Sequence, residues 1–202
     1  ADQIFQLGEE LPARVRDAVS APSVRLATGI SDGLPKLVVH HLLQPVLGEP
    51  NLRLLCHEGE MDDLLGDLAL HRLDVVLADR PAPSNPNIKL YSHALATSPI
   101  AWYGTPEQVK AARRKFPHSL GDVPVLLPTA HNSLRARLDH WFESHDIRPR
   151  VVGEFEDSAL LKTFGAGGMG LFPAAEWVHE HLLTHYAVQR LGACDGVLEH
   201  FY

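Results

Sequence analysis

Residues 61–81 read MDDLLGDLALHRLDVVLADRP, and this stretch decides the fold. Leu64, Leu65, Leu68 and Ala69 recur at helical spacing and form one apolar stripe. Asp62 and Asp63 fall in the first turn, where carboxylates complement the helix dipole. The helix must stop near residues 71–72, because residues 73–78 are an apolar, β-branched run that ends on a charge. Such a run is short enough to be a strand buried on both faces, as in a parallel sheet. Asp79 then begins the exit loop. Ligands of open α/β sheets bind beyond the carboxyl ends of the strands. Asp79 is therefore both an ordinary loop acid and a candidate site residue.

Working outward, the same alternation appears on both sides. Residues 24–29 read as a strand, Ser31 or Asp32 as the cap of a helix over 34–47, and 52–56 as a second strand. Pro35 is tolerated near that helix start. The order β-α-β-α-β implies a parallel sheet with right-handed crossovers. The three prolines of 81–86 make a loop. Strands are then expected over 88–96 and 100–104, interrupted at Ser98 and Pro99, with a polar helix over 105–115. A second unit follows. Its strands are 125–127, 151–155 and 169–172, and its helices are 133–145, 158–164 and 174–183. Short strands over 188–191 and 197–202 close the chain.

This pattern predicts two small doubly wound lobes joined near 96–100 and 192–197. The expected boundaries are 21–97 with 197–202 for lobe one, and 98–196 for lobe two. Residues 1–20 form a separate leading segment, in which Ile4, Leu7, Leu11 and Val15 share a helical face that Pro12 interrupts. Ligands of two-lobed proteins sit between the lobes.

Composition narrows the function. The chain has 202 residues, 45% hydrophobic and 21% charged, which is ordinary globular usage. A net charge of −7 argues against direct grip on nucleic acid, which needs a basic stripe. Cys56 and Cys194 are too few for a disulfide framework or a zinc site, and Cys56 is expected to be buried in a strand and inert. No apolar run reaches membrane length and no signal peptide is present, so a cytoplasmic setting is expected. The chain opens on Ala1 rather than Met, so something upstream is expected to have been removed.

Nine residues in five loops make the candidate site. They are Ser31 and Asp32 after the first strand, Asp79 after the third, and Ser98 at the hinge. Thr129, His131 and Asn132 follow the first strand of lobe two, and Glu156 and Asp157 follow its second. Singly, Ser31, Asp157 and Ser158 read as helix caps and Glu156 as a solvated loop charge. Together they read as an acidic cleft. Hard cations prefer carboxylate, carbonyl and hydroxyl oxygens. The i, i+4 pair His181 and His185 has metal spacing, but its place at a polar helix end reads as solvated surface. Residues 165–168 lack the Lys-Ser/Thr of a phosphate loop. No cofactor, metal site or catalytic constellation is expected, so the chain does not read as an enzyme.

The residues now suffice for a resemblance. The stretch LLGDLALHRLDVVLADRP (64–81), together with GAGGMGLFP (165–173), resembles the effector-binding domain of LysR-type transcriptional regulators. The resemblance covers essentially the whole chain. Within that family, SDGLPKLVVHHLLQPVL (31–47) and FEDSALLKTFGAGGMGLFPA (155–174) are similar to the sodium-responsive NhaR group. The resemblance implies a type II periplasmic-binding-protein-like fold and a leading segment that is the tail of a linker helix. It implies a homodimer or tetramer, and DNA contact only through an N-terminal winged helix-turn-helix absent from this sequence. It also implies a small effector, here a sodium ion or small polar molecule, with sensing of sodium or pH. A solute-binding protein of a transporter is the alternative, since it shares the architecture. Two departures stand out. His71 occupies the turn where the family usually has Gly, and the family's final helix is missing.

Overall fold

A computed structural model describes residues 23–84 and 89–202. The leading helix expected within residues 1–20 lies outside the described residues. The first half contains β1 (Val24–Ser31), α1 (Lys36–Leu43), β2 (Leu52–Gly59), α2 (Met61–Ala69) and β3 (Val75–Leu77). β1 lies between β2 and β3 and runs parallel to both, with Val24 opposite Leu52 and Thr28 opposite Val75. This is the expected β-α-β-α-β unit.

α2 forms as its pattern predicts. Met61, Leu64 and Leu65 are buried, and Asp62 and Asp63 occupy the first turn. His71 then takes a φ of 57°, a left-handed turn that a Cβ tolerates poorly. The Asp74 carboxylate accepts a hydrogen bond from the Ala27 amide at 2.7 Å, which ties the start of the third strand to the first. One expectation fails here. β3 is an edge strand and Val75 is exposed, so residues 73–78 are not buried on both faces throughout.

The second half contains β4 (Ala96–Gly104), α3 (Pro106–Ala112), β5 (Pro124–Pro128), α4 (Ser133–Ser144) and β6 (Arg150–Phe155). α5 (Ser158–Ala166), β7 (Phe172–Ala175), α6 (His179–Tyr186) and β8 (Gln189–Phe201) complete it. β5 and β6 pair in parallel. β4 pairs antiparallel with both β7 and β8.

Three differences from the sequence reading have one cause, the length of the β4–β8 pairing. β4 runs through Ser98 and Pro99 instead of breaking there, because a bulge next to Pro99 absorbs its missing N–H. β8 is one strand of 13 residues, not two short ones, and Gly196 supplies a φ of 80° within it. Residues 89–95 form no strand. Cys56 also differs from expectation. It is exposed, because β2 is a sheet edge, whereas Cys194 is buried and its thiol is pushed up to about 12 by that burial.

Among the described residues two large cores form, beside two small clusters around Leu64 and Leu65 of α2. One large core lies within the second half and includes Trp102, Val125, Leu127, Leu138, Trp141 and Phe142. The other unites Ile30, Leu34, Val38 and Leu77 of the first half with Tyr103, Leu126, Phe172, Leu182 and Phe201 of the second. Ala78 and Tyr202 exchange both backbone hydrogen bonds, at 3.1 and 2.9 Å, so the end of the chain extends the edge of β3.

Gly165 sits on α5 directly against the Phe172 ring, where a Cβ would collide with three ring carbons. We expect Gly165→Ala to destabilise the fold by about 1–3 kcal/mol, the usual range for overpacking. Gly66 faces open space inside α2, so Gly66→Ala should stabilise by about 0.5–1 kcal/mol. Denaturant unfolding of both variants checks the pair.

Candidate functional site

The carboxyl ends of β1, β3, β5 and β6 open onto one cleft, with about 440 Å³ of space when the open solvent at its mouth is included. Ser31, Asp32 and Gly33 enter from the end of β1, and Asp79 and Arg80 from the end of β3. Thr129, His131 and Asn132 face them from the loop after β5, and Glu156 from the loop after β6. Seven of the nine residues singled out in the sequence therefore meet around one space. Glu60 and Met61, at the start of α2, complete the wall.

Two expected residues lie elsewhere. Ser98 is buried in β4. Its hydroxyl accepts from the Trp177 amide at 3.1 Å and donates to the Pro99 carbonyl at 3.1 Å, so it is structural. Asp157 caps α5 by accepting from the Ala159 and Leu160 amides at 2.6 and 2.8 Å. Its carboxylate also meets Lys36 Nζ at 3.3 Å. Burial works against the Asp157 charge, but the two amides and the Lys36 ammonium outweigh it and hold its pKa below the ordinary carboxylate value. The cap reading was thus the right one for Asp157. For Ser31 it was not. Ser31 ends β1, and α1 begins after Pro35 without a side-chain cap.

Polar groups deep in the cleft lack partners. Asp79 is only 3% exposed. Among the described residues the buried hydroxyls of Ser31 and Thr129, in the same lining, lack a hydrogen-bond partner. Such groups are uncommon in folded interiors and call for an explanation. Gly33 permits the tight approach, because a Cβ there would lie 2.9 Å from Asp79 Oδ2. Arg135 fixes the loop after β5. It donates to the Pro128 carbonyl at 2.9 Å and pairs with Asp139 and Glu154. Four carboxylates, those of Asp32, Glu60, Asp79 and Glu156, line the cleft against the one guanidinium of Arg80. Among the described residues no three His, Cys, Asp or Glu side chains are already gathered as a metal-ion site. His181 and His185 stack at 4.0 Å on α6, away from the cleft.

Sequence reasoning missed two more charges. Lys162 on α5 and Glu199 on β8 are 4% and 3% exposed, and both border a second cavity that shares Gly33, Asn132 and Glu156 with the cleft. Burial lowers the Lys162 pKa to about 8, with Glu199 and Asp157 opposing the shift. Burial and then Asp79 raise Glu199 to about 7, against Lys162 and Arg137. One signal was available. Glu199 alternates with Val197 and Phe201, so strand parity turns it inward with them.

Comparison with known proteins places this geometry. Residues 23–195 match the family model described as the LysR substrate binding domain. The transcriptional activator protein NhaR of Escherichia coli (strain K12) is 28% identical over 205 residues, covering 100% of this chain and 66% of that protein. The chain thus spans just under two-thirds of the length of this relative. The reduced regulatory domain of OxyR2 from Vibrio vulnificus superposes with a TM-score of 0.67 at 18% identity, over 91% of this chain and 86% of that one. The cofactor-binding domain of the Cbl transcriptional regulator does so with a TM-score of 0.69 at 16% identity, over 89% and 79%.

The buried acid predicts a pH signature. Glu199 holds its proton more tightly in the folded chain than at its ordinary value of 4.5. Its contribution to stability is therefore full below that value and is lost as the pH rises through about 7. Glu199→Gln cannot ionise and should escape that loss. Between pH 5 and 8 the wild type should lose on the order of 3 kcal/mol relative to the variant. Denaturant unfolding of both proteins at the two pH values measures it.

Proposed function

The chain belongs to the LysR substrate-binding domain family, and from that premise we propose that it senses a sodium ion for a DNA-binding transcriptional regulator. It is a ligand-binding regulatory domain and not an enzyme. In this reading residues 21–97 with 197–202 form one lobe, residues 98–196 form the other, and residues 1–20 belong to a linker helix. Effector binding alters the lobe angle or the packing of a homodimer or tetramer. A winged helix-turn-helix elsewhere in the regulator then re-spaces on DNA, in the cytoplasm. No helix among the described residues is long and apolar enough to cross a membrane.

The observation that carries the ligand class is the buried oxygen set at the base of the cleft. Ser31 and Thr129 offer two buried hydroxyls with no partner of their own, beside the buried carboxylate of Asp79. Hard cations take such oxygens as ligands. Anions would need donors instead, and helix N-termini are the usual source. Here Asn132 already satisfies the Leu134 amide at the start of α4, and Asp157 two amides at the start of α5; α2 begins without a side-chain cap, but the Glu60 carboxylate stands there. Movement of the lobes would bring Asp32, Glu60 and Glu156 closer to the ion. Carboxylates drawn together hold protons more tightly, so a cation that displaces those protons couples its binding to pH.

Thermal melts in sodium, lithium and potassium chloride at matched ionic strength test this. A cation that binds only the folded chain stabilises it by about 2.7 kcal/mol at 100 times its Kd. For a domain of this size that is a midpoint rise of about 5–10 °C. Sodium should raise the midpoint where potassium does not, and Asp79→Asn should remove the difference. Equal midpoints in sodium and potassium, with a clear rise from a small carboxylate, would overturn the cation reading and leave the regulator reading standing.

A further inference from the structure

His181 and His185 stand outside the cleft and outside the cavity beside it. They lie four residues apart on α6, so both rise from one face of the helix. Their rings stack, with centroids 4.0 Å apart and planes 15° from parallel. His185 is exposed and His181 half-buried, so solvent reaches the pair. His185 Nδ1 lies 3.2 Å from the His181 carbonyl oxygen. A carbonyl only accepts, so Nδ1 carries the proton and Nε2 keeps its lone pair. Metal-binding histidines are commonly oriented in this way, with the second ring nitrogen donating to a backbone carbonyl. His179, two residues earlier, projects elsewhere, with its Nδ1 3.2 Å from the Tyr103 hydroxyl.

We propose that His181 and His185 chelate a late first-row divalent metal ion, Cu²⁺, Ni²⁺ or Zn²⁺. Imidazole nitrogen suits these ions, whereas Mg²⁺ and Ca²⁺ require oxygen. The i, i+4 spacing on a helix is the one that lets two histidines share an ion. A small rotation of the stacked rings brings their Nε2 atoms onto one point. Two protein ligands leave the other positions to water, so the ion exchanges, unlike one in a closed four-ligand structural centre. An ion held there spans the last turn of α6, just before Ala187 takes a left-handed φ of 51° and leads towards β8. Leu182, on the same helix, packs in the core shared by the two halves. Occupancy therefore stabilises a helix that belongs to that core. The site shares no residue with the sodium reading and does not depend on it.

The test is isothermal titration of the untagged chain with the chlorides of copper, nickel and zinc at pH 7.5, in a buffer that does not coordinate metals. A Cys56→Ser background removes an exposed thiol that would compete for the ion. We expect one saturable site per chain, tightest for Cu²⁺, and no response to Mg²⁺. At ten times its Kd the ion should raise the melting midpoint by about 3–6 °C. His181→Gln and His185→Gln should each weaken binding by at least about tenfold, while melting in EDTA as the parent does. Pulsed electron paramagnetic resonance of the Cu²⁺ complex should count two bound imidazoles in the parent and one in each variant. The same site retained in the double variant, a single imidazole in the parent, or no saturable binding below about 1 mM ion, the edge of weak association, would each overturn the proposal.

Discussion

The antiparallel pairing of β4 with β8 is the constraint on which the rest of the molecule depends. It runs from Ala96 opposite Phe201 to Gly104 opposite Gln189. Successive side chains of β4 point to opposite faces, and here both faces are buried. Ile100 and Trp102 enter the core of the second half, while Ala101 and Tyr103 enter the core shared with the first. β8 likewise contributes to both cores, Leu191, Cys194 and Val197 to one and Phe201 to the other. A strand pair clasped between two cores cannot shift without disturbing both.

That joint explains why the cleft is where it is. The Ala78–Tyr202 hydrogen bonds fasten β3 to the end of β8, which puts Asp79 at the base of the opening. Away from the joint the halves are held more lightly. Lys36 on α1 reaches Asp157 at the head of α5 and Glu58 on β2, each at 3.3 Å. Exposed pairs of this kind contribute at most about 1 kcal/mol and are screened by salt. A fixed base and a weak latch at the rim would permit the change in lobe angle proposed above.

The distribution of polar satisfaction is equally telling. Two helix starts beside the cleft are capped by side chains, Asn132 at α4 and Asp157 at α5, whereas α1 and α2 begin without one. Among the described residues the buried hydroxyls of Ser31 and Thr129 at its base lack a partner, as do those of Thr28, Ser119 and Ser133 and the indole N–H groups of Trp102 and Trp141. Real folds depart from full internal satisfaction mainly where function requires it.

Local periodicity determined much of this protein from the sequence alone. The stripe of residues 64–69, the apolar run after it and the repeated β-α order are properties of neighbouring residues, and they specify parallel units with ligand loops at the strand ends. Seven of the nine proposed residues line one cleft because each ends a strand or lies in the loop just after one. What the sequence could not decide depends on contacts between residues far apart in the chain. Pro99 reads as a break, but the length of β8 opposite it turns the break into a bulge. Cys56 reads as buried, yet sheet order places β2 at an edge and exposes it. Lys162 and Glu199 do not stand out in the sequence, because burial of an ionised group is rare. Only the packing of α5 against the β4–β8 joint turns them inward, since the partner that makes each burial tolerable is supplied by tertiary structure.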